Sequence, residues 1–573
     1  MNLQYSSEAA PVSFDPLMIK LKTWKDLEPY FNDLLNRSLH SLEQVQQWIL
    51  DKSKLDAYLS ESFAWCYINV TRDSNDKKAT EVYTSFVQEI TPKVASLENE
   101  LNLKLVQNKF FAQLPISYYK IYSRKIRNSV QLFSQNNVSL QKEVQLQSKD
   151  FGRILSQMTV GMDGQQLTLQ KATILLEEKD RPTRRQVYHK INDRILQDTE
   201  ELEDLFDSLL EKRHQIALNA GFDNYRDYAF RSLERFDYTP EDCYAFHDSI
   251  SSEILPLLDK VYQARKESLE VDHLRPYDLN IDTKGREVLR PFKQVDELVE
   301  QAHKCLTEVD PLFGEVIQKM QNLGHLDLDS RTGKRPGGYN MPLHITGIPF
   351  IFMNATNSLN DLRTLMHESG HAVHAYLTKD LAIAANRQFP SEISELAAMT
   401  MELFTMEHWE TIFDQEEDLQ RAKLFQMEMI LKVLPWIATI DKFQHWLYSH
   451  PKHTRAERKK MWLQILKEFT PTTLDYSGLE NYLSNLWLKQ LHLFEVPFYY
   501  IEYGFAQLGA IALWAKYSEA PQKTVADYQH ALSLGYTKTV SEIYEAAGIQ
   551  FDFSQGYVAQ LGQFIKATID EIV

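Results

Sequence analysis

The chain has 573 residues, of which 43% are apolar and 25% are charged, so it is long enough to build a large hydrophobic core. Its net charge of −17 leaves no basic surplus to neutralise phosphates, which argues against a nucleic-acid partner and against binding to an anionic membrane. Only 19 glycines and 20 prolines interrupt long runs of Leu, Lys, Glu, Gln and Ala, so we predict a mainly α-helical protein.

Cys66, Cys243 and Cys305 lie far apart and form no CxxC pair. This sparse, odd-numbered set predicts reduced core thiols rather than a disulfide framework. The first residues, MNLQYSSEAAPVSFDP, contain neither a basic start nor an apolar run, so we expect no signal peptide. The apolar segment YGFAQLGAIALWAKY is too short to span a bilayer. We expect a cytoplasmic protein without a membrane partner, and its oligomeric state stays open.

Amphipathic runs alternate with short polar breaks between about residues 21 and 180, and apolar residues recur there at three- and four-residue steps. This pattern predicts a bundle of long helices without chemistry of its own. Pro182 then predicts a helix start, with Thr183 and Gln186 in capping-box spacing. A long acidic-faced helix is predicted to follow and to end near Gly221.

Glycine and proline are concentrated between about residues 270 and 350, where the regular helical pattern is interrupted. The run IPFIFMN, bounded by turn-forming residues, predicts a strand that ends a few residues before Leu362. After this strand the chain is predicted to be helical to its end. We divide the chain into an amino-terminal helical region over residues 1–181 and a second domain over residues 182–573.

The segment LRTLMHESGHAVHAY places His367 and His371 four residues apart, with Glu368 between them. Residues four apart share a helix face at about 5–6 Å, so both imidazoles face one point. That arrangement suits zinc, which lies about 2.0–2.1 Å from each nitrogen. Glu368 is placed to reach a water molecule on the same metal without replacing a ligand. This HExxH pattern is typical of a metallopeptidase helix, and its apolar flanks favour a helix packed in the core.

His374 lies on the same face as the other two histidines, three residues after His371. A straight helix does not bring three successive turns to one metal atom, and no glycine interrupts HAVHAY. We therefore expect His374 to support a ligand or to pack in the core, rather than to bind the metal itself.

A catalytic zinc ion needs a third protein ligand and one open position. The downstream run PSEISELAAMTMELF offers Glu392, Glu395 and Glu402 on a second predicted helix. Glu395 and Glu402 share a face, whereas Glu392 lies near the helix start, where a carboxylate also suits the helix dipole. Spacing alone does not separate Glu392 from Glu395 as the ligand. Glu402 is expected either to orient a ligand histidine or to form a buried ion pair.

The chain resembles the thimet oligopeptidase and oligoendopeptidase F family of zinc peptidases. The matching stretches are IPFIFMNATNSLNDLRTLMHESGHAVH, PSEISELAAMTMELF and HLFEVPFYYIEYGFAQLGA, in the family's order. The linker LFEVPF replaces the glycines of the thimet branch and is closer to oligoendopeptidase F. The resemblance implies one Zn²⁺ per chain, held by His367, His371 and Glu395, with Glu368 as general base.

The same resemblance implies that the tyrosine-rich segment takes part in catalysis. A histidine followed by several tyrosines binds substrate and stabilises the oxyanion in this family. Carried onto this sequence, these positions are His492, Tyr500 and Tyr503 as catalytic groups and Tyr499 as a substrate contact. The sequence leaves open which tyrosine donates to the oxyanion.

The family fold implies a large helical zincin-type peptidase with a small β-sheet beside the active site and a deep substrate channel. Residues 182–573 would then form the catalytic domain, and the substrates would be short unstructured peptides cut at internal bonds. The strand IPFIFMN is expected to offer an edge to an extended peptide, with Phe350 as a substrate contact. Two alternatives remain: a zinc exopeptidase, such as a carboxypeptidase or dipeptidyl carboxypeptidase, and a non-catalytic peptide-binding scaffold.

Overall fold

The protein is described here by a computed structural model covering residues 21–162 and 164–572. The described chain forms two compact units, each assembled from three separate stretches of sequence. Unit 1 contains residues 21–131, 290–416 and 512–551, and unit 2 contains residues 132–289, 417–511 and 552–572. These units are discontinuous, whereas the division at residue 181 follows the sequence, and that division stays a prediction.

Helices dominate both units, as the scarcity of glycine and proline predicts. Among the described residues, none of the helices is both long enough and apolar enough to cross a bilayer. In chain order the helices are α1 (Trp24–Asn36), α2 (Leu42–Arg72), α3 (Lys77–Ser85), α4 (Thr91–Gln107), α5 (Ile116–Leu132), α6 (Asn137–Ser156), α7 (Leu169–Ile174), α8 (Arg181–Gln197), α9 (Thr199–Asn219), α10 (Tyr225–Ser232), α11 (Pro240–Ser249), α12 (Leu255–Ser268), α13 (Val295–Val309), α14 (Pro311–Leu323), α15 (Leu359–Thr378), α16 (Ser391–Met406), α17 (Glu416–Ser449), α18 (Arg455–Glu468), α19 (Glu480–Ser484), α20 (Leu491–Glu495), α21 (Tyr500–Glu519), α22 (Pro521–Ser533), α23 (Val540–Ala546) and α24 (Gln555–Ile572).

The strands form two small sheets. In unit 2, β1 (Thr159–Met162) and β2 (Gln165–Thr168) pair as an antiparallel hairpin. In unit 1, β5 (Phe350–Ala355) lies between β3 (Leu326–Asp329), with which it is parallel, and β4 (Tyr339–Met341), with which it is antiparallel. The predicted strand IPFIFMN is confirmed as β5, and the described chain after it contains no further strand.

The region predicted as a bundle of long helices is helical but also contains the β1–β2 hairpin, which the pattern did not predict. Two local expectations are wrong. Helix α8 is capped by Asp180, whose carboxylate accepts a 2.9 Å hydrogen bond from the Thr183 backbone N–H, so Thr183 is not the cap. Strand β5 is the centre of its sheet and offers no free edge to a peptide, because both of its neighbours are protein strands; β4 lies at an edge instead.

The start of α15 is fixed by a capping box immediately after β5. The Ser358 side chain accepts from the Asp361 N–H, and the Asp361 carboxylate accepts from the backbone N–H groups of Ser358 at 2.8 Å and Thr356 at 2.7 Å. These bonds satisfy N–H groups that the first turn of a helix leaves without an internal partner. The cap sets the helix register, and His367 and His371 follow in the next turns.

Helices α15 and α16 cross with their backbones in contact at Gly370. A Cβ atom built on Gly370 would lie 2.5 Å from the Ala397 carbonyl oxygen and 2.6 Å from the Ala398 Cα atom. Only glycine permits this approach, because any side chain would overlap the backbone of α16. The crossing places Glu395 of α16 opposite the two histidines of α15.

Candidate metal centre and active site

His367, His371 and Glu395 meet in unit 1 where α15 crosses α16. One donor atom from each residue lies within 4.8 Å of the other two. Nε2 of His367 is 3.3 Å from Oε2 of Glu395, and Nε2 of His371 is 3.9 Å from the same oxygen. The sequence spacing predicted the two histidines as neighbours, and in the structure Glu395 is the carboxylate that faces them.

This donor set fits a tetrahedral divalent cation. Zinc–nitrogen and zinc–oxygen bonds of about 2.0–2.2 Å place neighbouring tetrahedral donors roughly 3.3 Å apart. The two measured contacts of 3.3 and 3.9 Å lie at and slightly above that spacing. Two imidazoles and one carboxylate are also the ligand types that zinc accepts when it keeps one position open.

Glu402 holds the far side of the first histidine. Its Oε1 lies 2.7 Å from Nδ1 of His367, and its Oε2 accepts a 3.0 Å hydrogen bond from Arg363. Because Nδ1 is engaged by this carboxylate, the Nε2 atom is the one that faces Glu395. Glu402 therefore does both things expected of it: it contacts a histidine, and it forms an ion pair with Arg363 in which the Glu402 side chain is 4% exposed.

The two histidines differ in their electrostatic surroundings. Burial alone would lower the pKa of His367, but hydrogen bonds to Glu395 and Glu402 outweigh it and raise the pKa to about 10. Burial lowers the pKa of His371 to about 4, and the ring accordingly stays neutral at pH 7. The Nδ1 atom of His371 lies 3.1 Å from the Ser394 hydroxyl, which leaves Nε2 facing Glu395.

Glu368 is buried beside this centre, with 8% of its surface exposed. Its Oε2 atom has no hydrogen-bond partner among the described residues. Burial raises the pKa of Glu368 to about 7, and the neighbouring charges of Glu395 and Glu402 add to the rise while His367 opposes it. A carboxylate with this pKa exchanges protons readily near neutral pH.

His374 does not reach the metal donors. It is fully buried and stacks on Phe389 with 3.4 Å between ring centroids, and neither ring nitrogen has a hydrogen-bond partner among the described residues. Of the two expected roles, the structure therefore supports core packing.

The predicted catalytic residues of the tyrosine-rich segment form a second cluster, in unit 2. His492 lies in α20, and its ring centroid is 4.5 Å from that of Tyr500, 6.0 Å from that of Tyr503 and 6.3 Å from that of Tyr499. Tyr500 and Tyr503 begin α21 and lie 5.6 Å apart. The structure thus brings together all four residues that the family resemblance selects.

A hydrogen-bond chain orients His492. The Trp436 indole N–H donates to the Gln490 side-chain oxygen at 3.0 Å, and the Gln490 amide nitrogen donates to Nδ1 of His492 at 2.7 Å. Nδ1 therefore accepts, and the ring proton of the neutral imidazole sits on Nε2. Burial raises the pKa of Tyr500 to about 12, so its hydroxyl remains a hydrogen-bond donor at neutral pH.

Phe350 lies in the core and not at a surface where it could contact a substrate. Its side chain is fully buried, with its ring centroid 6.1 Å from that of Trp65 and 5.9 Å from that of His325. Since β5 is also paired on both sides, neither the side chain nor a free strand edge is available to a substrate. The expected substrate contact at Phe350 is corrected to a core position.

Sequence reasoning missed three residues that orient the candidate site: Arg363, Ser394 and Gln490. Arg363 lies four residues before His367 on the same helix face, so its position carried a usable signal. Ser394 and Gln490 act across the fold, and no spacing rule points to either residue.

The comparisons with known proteins agree with this architecture. The profile of peptidase family M3 matches residues 174–563, and the profile of the peptidase M3 N-terminal domain matches residues 14–133. An oligoendopeptidase F homolog of Borreliella burgdorferi is 23% identical over 426 residues, which are 71% of this chain and 68% of that protein. Oligopeptidase PepF of Bacillus subtilis is 23% identical over 343 residues, which are 58% of this chain but only 49% of that protein.

Solved structures give the same result over nearly the whole chain. Pz peptidase A, solved with an inhibitor, superposes with a TM-score of 0.88 at 25% identity and covers 98% of this chain and 99% of its own. Oligoendopeptidase F from Enterococcus faecium shares the fold, with a TM-score of 0.65 at 15% identity and coverage of 96% and 97%. The chain therefore belongs to peptidase family M3, on its oligoendopeptidase F side.

Proposed function

We propose that this member of peptidase family M3 is a zinc-dependent oligoendopeptidase that cuts internal bonds of short unstructured peptides. His367, His371 and Glu395 would hold one zinc ion per chain. The observation that carries the proposal is the convergence of these three donors on one point next to a buried, unpartnered oxygen of Glu368. A scaffold that only binds peptides has no need for a general base in that position.

When bound, zinc supplies a Lewis acid that polarises the scissile carbonyl and lowers the pKa of water to about 7. The chain's own groups move the protons. Oε2 of Glu368 accepts a proton from the attacking water, and Glu368 later donates this proton to the leaving amine. Burial of Glu368 raises the pKa of its carboxyl toward the neutral range, in which a general acid–base group works best.

His492, Tyr500 and Tyr503 are proposed as the catalytic groups that donate hydrogen bonds to the oxyanion. Tyr500 and Tyr503 offer hydroxyl donors, and His492 offers its Nε2–H, which the Gln490 contact at Nδ1 leaves protonated. Tyr499 is proposed as a substrate contact. The raised pKa of Tyr500, about 12, keeps its proton on the hydroxyl throughout the neutral range.

The experiment compares wild type with Glu368→Gln on an internally quenched peptide library, with zinc content and product masses measured on the same samples. We expect the variant to retain zinc and to lose cleavage by at least about 10²-fold. Glu315→Gln, on an exposed face of α14, is the matched control and should cleave normally. Unchanged turnover in Glu368→Gln would overturn the general-base role.

A peptide acetylated at its amino end and amidated at its carboxyl end tests the internal-bond preference in the same assay. Cleavage of this capped peptide excludes an obligate exopeptidase, which needs a free terminus. Cleavage of only the uncapped peptide would favour the carboxypeptidase alternative. The deep substrate channel and the cytoplasmic location stay predictions.

A further inference from the structure

A second group of metal-ligating side chains lies in unit 2, outside the candidate active site. Sγ of Cys243, a carboxylate oxygen of Asp441 and a ring nitrogen of His445 lie within 4.8 Å of one another. Cys243 belongs to α11, and Asp441 and His445 lie four residues apart on α17. The three exposed fractions are 0%, 0% and 3%, so solvent does not satisfy these groups.

The protein alone leaves polar atoms of this cluster unsatisfied. Oδ1 of Asp441 and Nδ1 of His445 have no hydrogen-bond partner among the described residues, whereas Nε2 of His445 lies 3.2 Å from Oδ2 of Asp441. Buried polar groups in native proteins are nearly always hydrogen-bonded. The unsatisfied Oδ1 of Asp441, next to the donor atoms of Cys243 and His445, therefore indicates a bound species that accepts lone pairs.

His247 positions the carboxylate. It lies one helical turn after Cys243 on α11, and its Nε2 is 2.9 Å from Oδ2 of Asp441. A donor on one carboxylate oxygen is the common way to orient a metal-binding carboxylate. With Oδ2 engaged, Oδ1 of Asp441 is the oxygen left for a cation.

The donor types select the cation. A thiolate and an imidazole are poor ligands for Mg²⁺ and Ca²⁺, which prefer oxygen, whereas Zn²⁺ takes sulfur, nitrogen and carboxylate oxygen together. Aromatic rings surround His445, including Tyr244 at 5.0 Å and Phe498 at 5.5 Å between centroids. This aromatic, buried surrounding suits a structural ion.

We propose that Cys243, Asp441 and His445 bind a structural zinc ion that joins α11 to α17, with His247 as a positioning residue. The site is separate from the one formed by His367, His371 and Glu395. It requires no catalytic activity, so it stands or falls independently of the proposed peptidase function.

Metal content and a cobalt spectrum test the proposal. Zinc per chain is measured by mass spectrometry in purified wild type, His371→Ala, Cys243→Ala and Cys305→Ala. We expect about two zinc ions in wild type and in Cys305→Ala, and about one in each of the other two variants. Cys305 is the matched control, because it is also fully buried, and its polar contacts among the described residues are the His408 carbonyl and the Thr411 hydroxyl.

The cobalt spectrum of His371→Ala still tests the proposal if Cys243→Ala fails to fold, because it needs no substitution at Cys243. The candidate active site contains no cysteine, so a thiolate-to-cobalt charge-transfer band in Co²⁺-loaded His371→Ala arises only from a thiolate site. The proposal predicts this band in His371→Ala and its absence from Cys243→Ala. No band in His371→Ala, or a zinc content unchanged by Cys243→Ala, would overturn it. One thiolate-bound ion in wild type would instead support this site and count against the active-site zinc.

Discussion

Nδ1 of His367 lies 2.7 Å from Oε1 of Glu402, and this contact determines that Nε2 of the same ring faces Glu395. Glu402 is held in turn by Arg363 at 3.0 Å. The result is a chain from a guanidinium through a carboxylate to a proposed metal ligand. Such outer contacts fix the ring orientation and raise the basicity of the ligand nitrogen.

Replacing Glu402 with Gln should weaken zinc binding by about 10- to 100-fold, because the neutral amide orients the His367 ring less strongly. Zinc affinity is measured by competition with a chelator of known affinity. Glu410→Gln, at an exposed position after α16, is the control and should bind zinc like wild type. An unchanged affinity in Glu402→Gln would mean that the contact with His367 has no role in metal binding.

Gly370→Ala should push α15 and α16 apart, since the added Cβ meets the backbone of Ala397 and Ala398 at 2.5–2.6 Å. We expect a loss of stability of about 1–3 kcal/mol together with weaker zinc binding. Gly152→Ala, in α6 with nothing within 4 Å of the added Cβ, is the control. It should be neutral or stabilising by up to about 1 kcal/mol. Thermal unfolding and chelator competition measure both effects; equal behaviour of the two variants would contradict the close crossing.

The sequence predicted the parts of the site that depend on local spacing. His367, Glu368 and His371 share one helix because the i, i+4 rule is local, and the capping box at Ser358 belongs to the same class of evidence. Spacing alone did not identify Glu395 as the ligand, because the choice between Glu392 and Glu395 depends on which face of α16 is turned toward α15. That orientation follows from the contact at Gly370, which is a tertiary feature.

The errors have physical causes of the same kind. The spacing of Thr183 and Gln186 matches a capping box, but Asp180 is the N-cap residue of α8. Its carboxylate accepts hydrogen bonds from both the backbone N–H and the hydroxyl of Thr183. The β1–β2 hairpin was missed although Gly164, which directly precedes β2 and has a φ of 80°, is a residue type common in hairpin turns. Phe350 was assigned to a strand edge, and strand order cannot be read from one apolar run.

Asp327 should show a pH-dependent contribution to stability. Burial raises its pKa, but hydrogen bonds from Arg331 at 2.5 Å and Lys334 at 2.9 Å outweigh this and hold the pKa well below the ordinary value of 3.8. A lowered folded pKa stabilises the protein above pH 3.8, and the contribution disappears as pH falls through the folded pKa.

Asp327→Asn should therefore cost about 3–5 kcal/mol near pH 7, since it leaves the Lys334 ammonium buried without its anion. The difference from wild type should shrink as pH falls below about 4. Asp329→Asn is the control, because Lys334 contacts only the backbone carbonyl of that residue. Thermal midpoints measured across this pH range test the prediction, and a difference that does not change with pH would contradict it.

Arg235 and Glu502 form a buried ion pair at 2.7 Å beneath the tyrosine-rich segment, with side chains 0% and 2% exposed. Arg235 also donates to the carbonyl of Phe498, a residue held at a φ of 68° in the left-handed region. The pair therefore fixes the turn that leads into Tyr500.

Arg235→Met alone should cost about 3–5 kcal/mol, because it breaks a buried ion pair by removing one partner of the Glu502 carboxylate. The double variant Arg235→Met/Glu502→Met should cost less than the sum of the two single variants. Thermal unfolding of the four proteins gives the coupling energy of the pair. Strict additivity would show that the two side chains do not act together.

The central claim is that His367, His371 and Glu395 hold one zinc ion. Anomalous diffraction from a crystal of the zinc-loaded protein, recorded on both sides of the zinc absorption edge, tests it most directly. We predict a peak about 2.0–2.2 Å from Nε2 of His367, Nε2 of His371 and a carboxylate oxygen of Glu395. A fully zinc-loaded crystal with no anomalous peak among these three side chains would contradict the account.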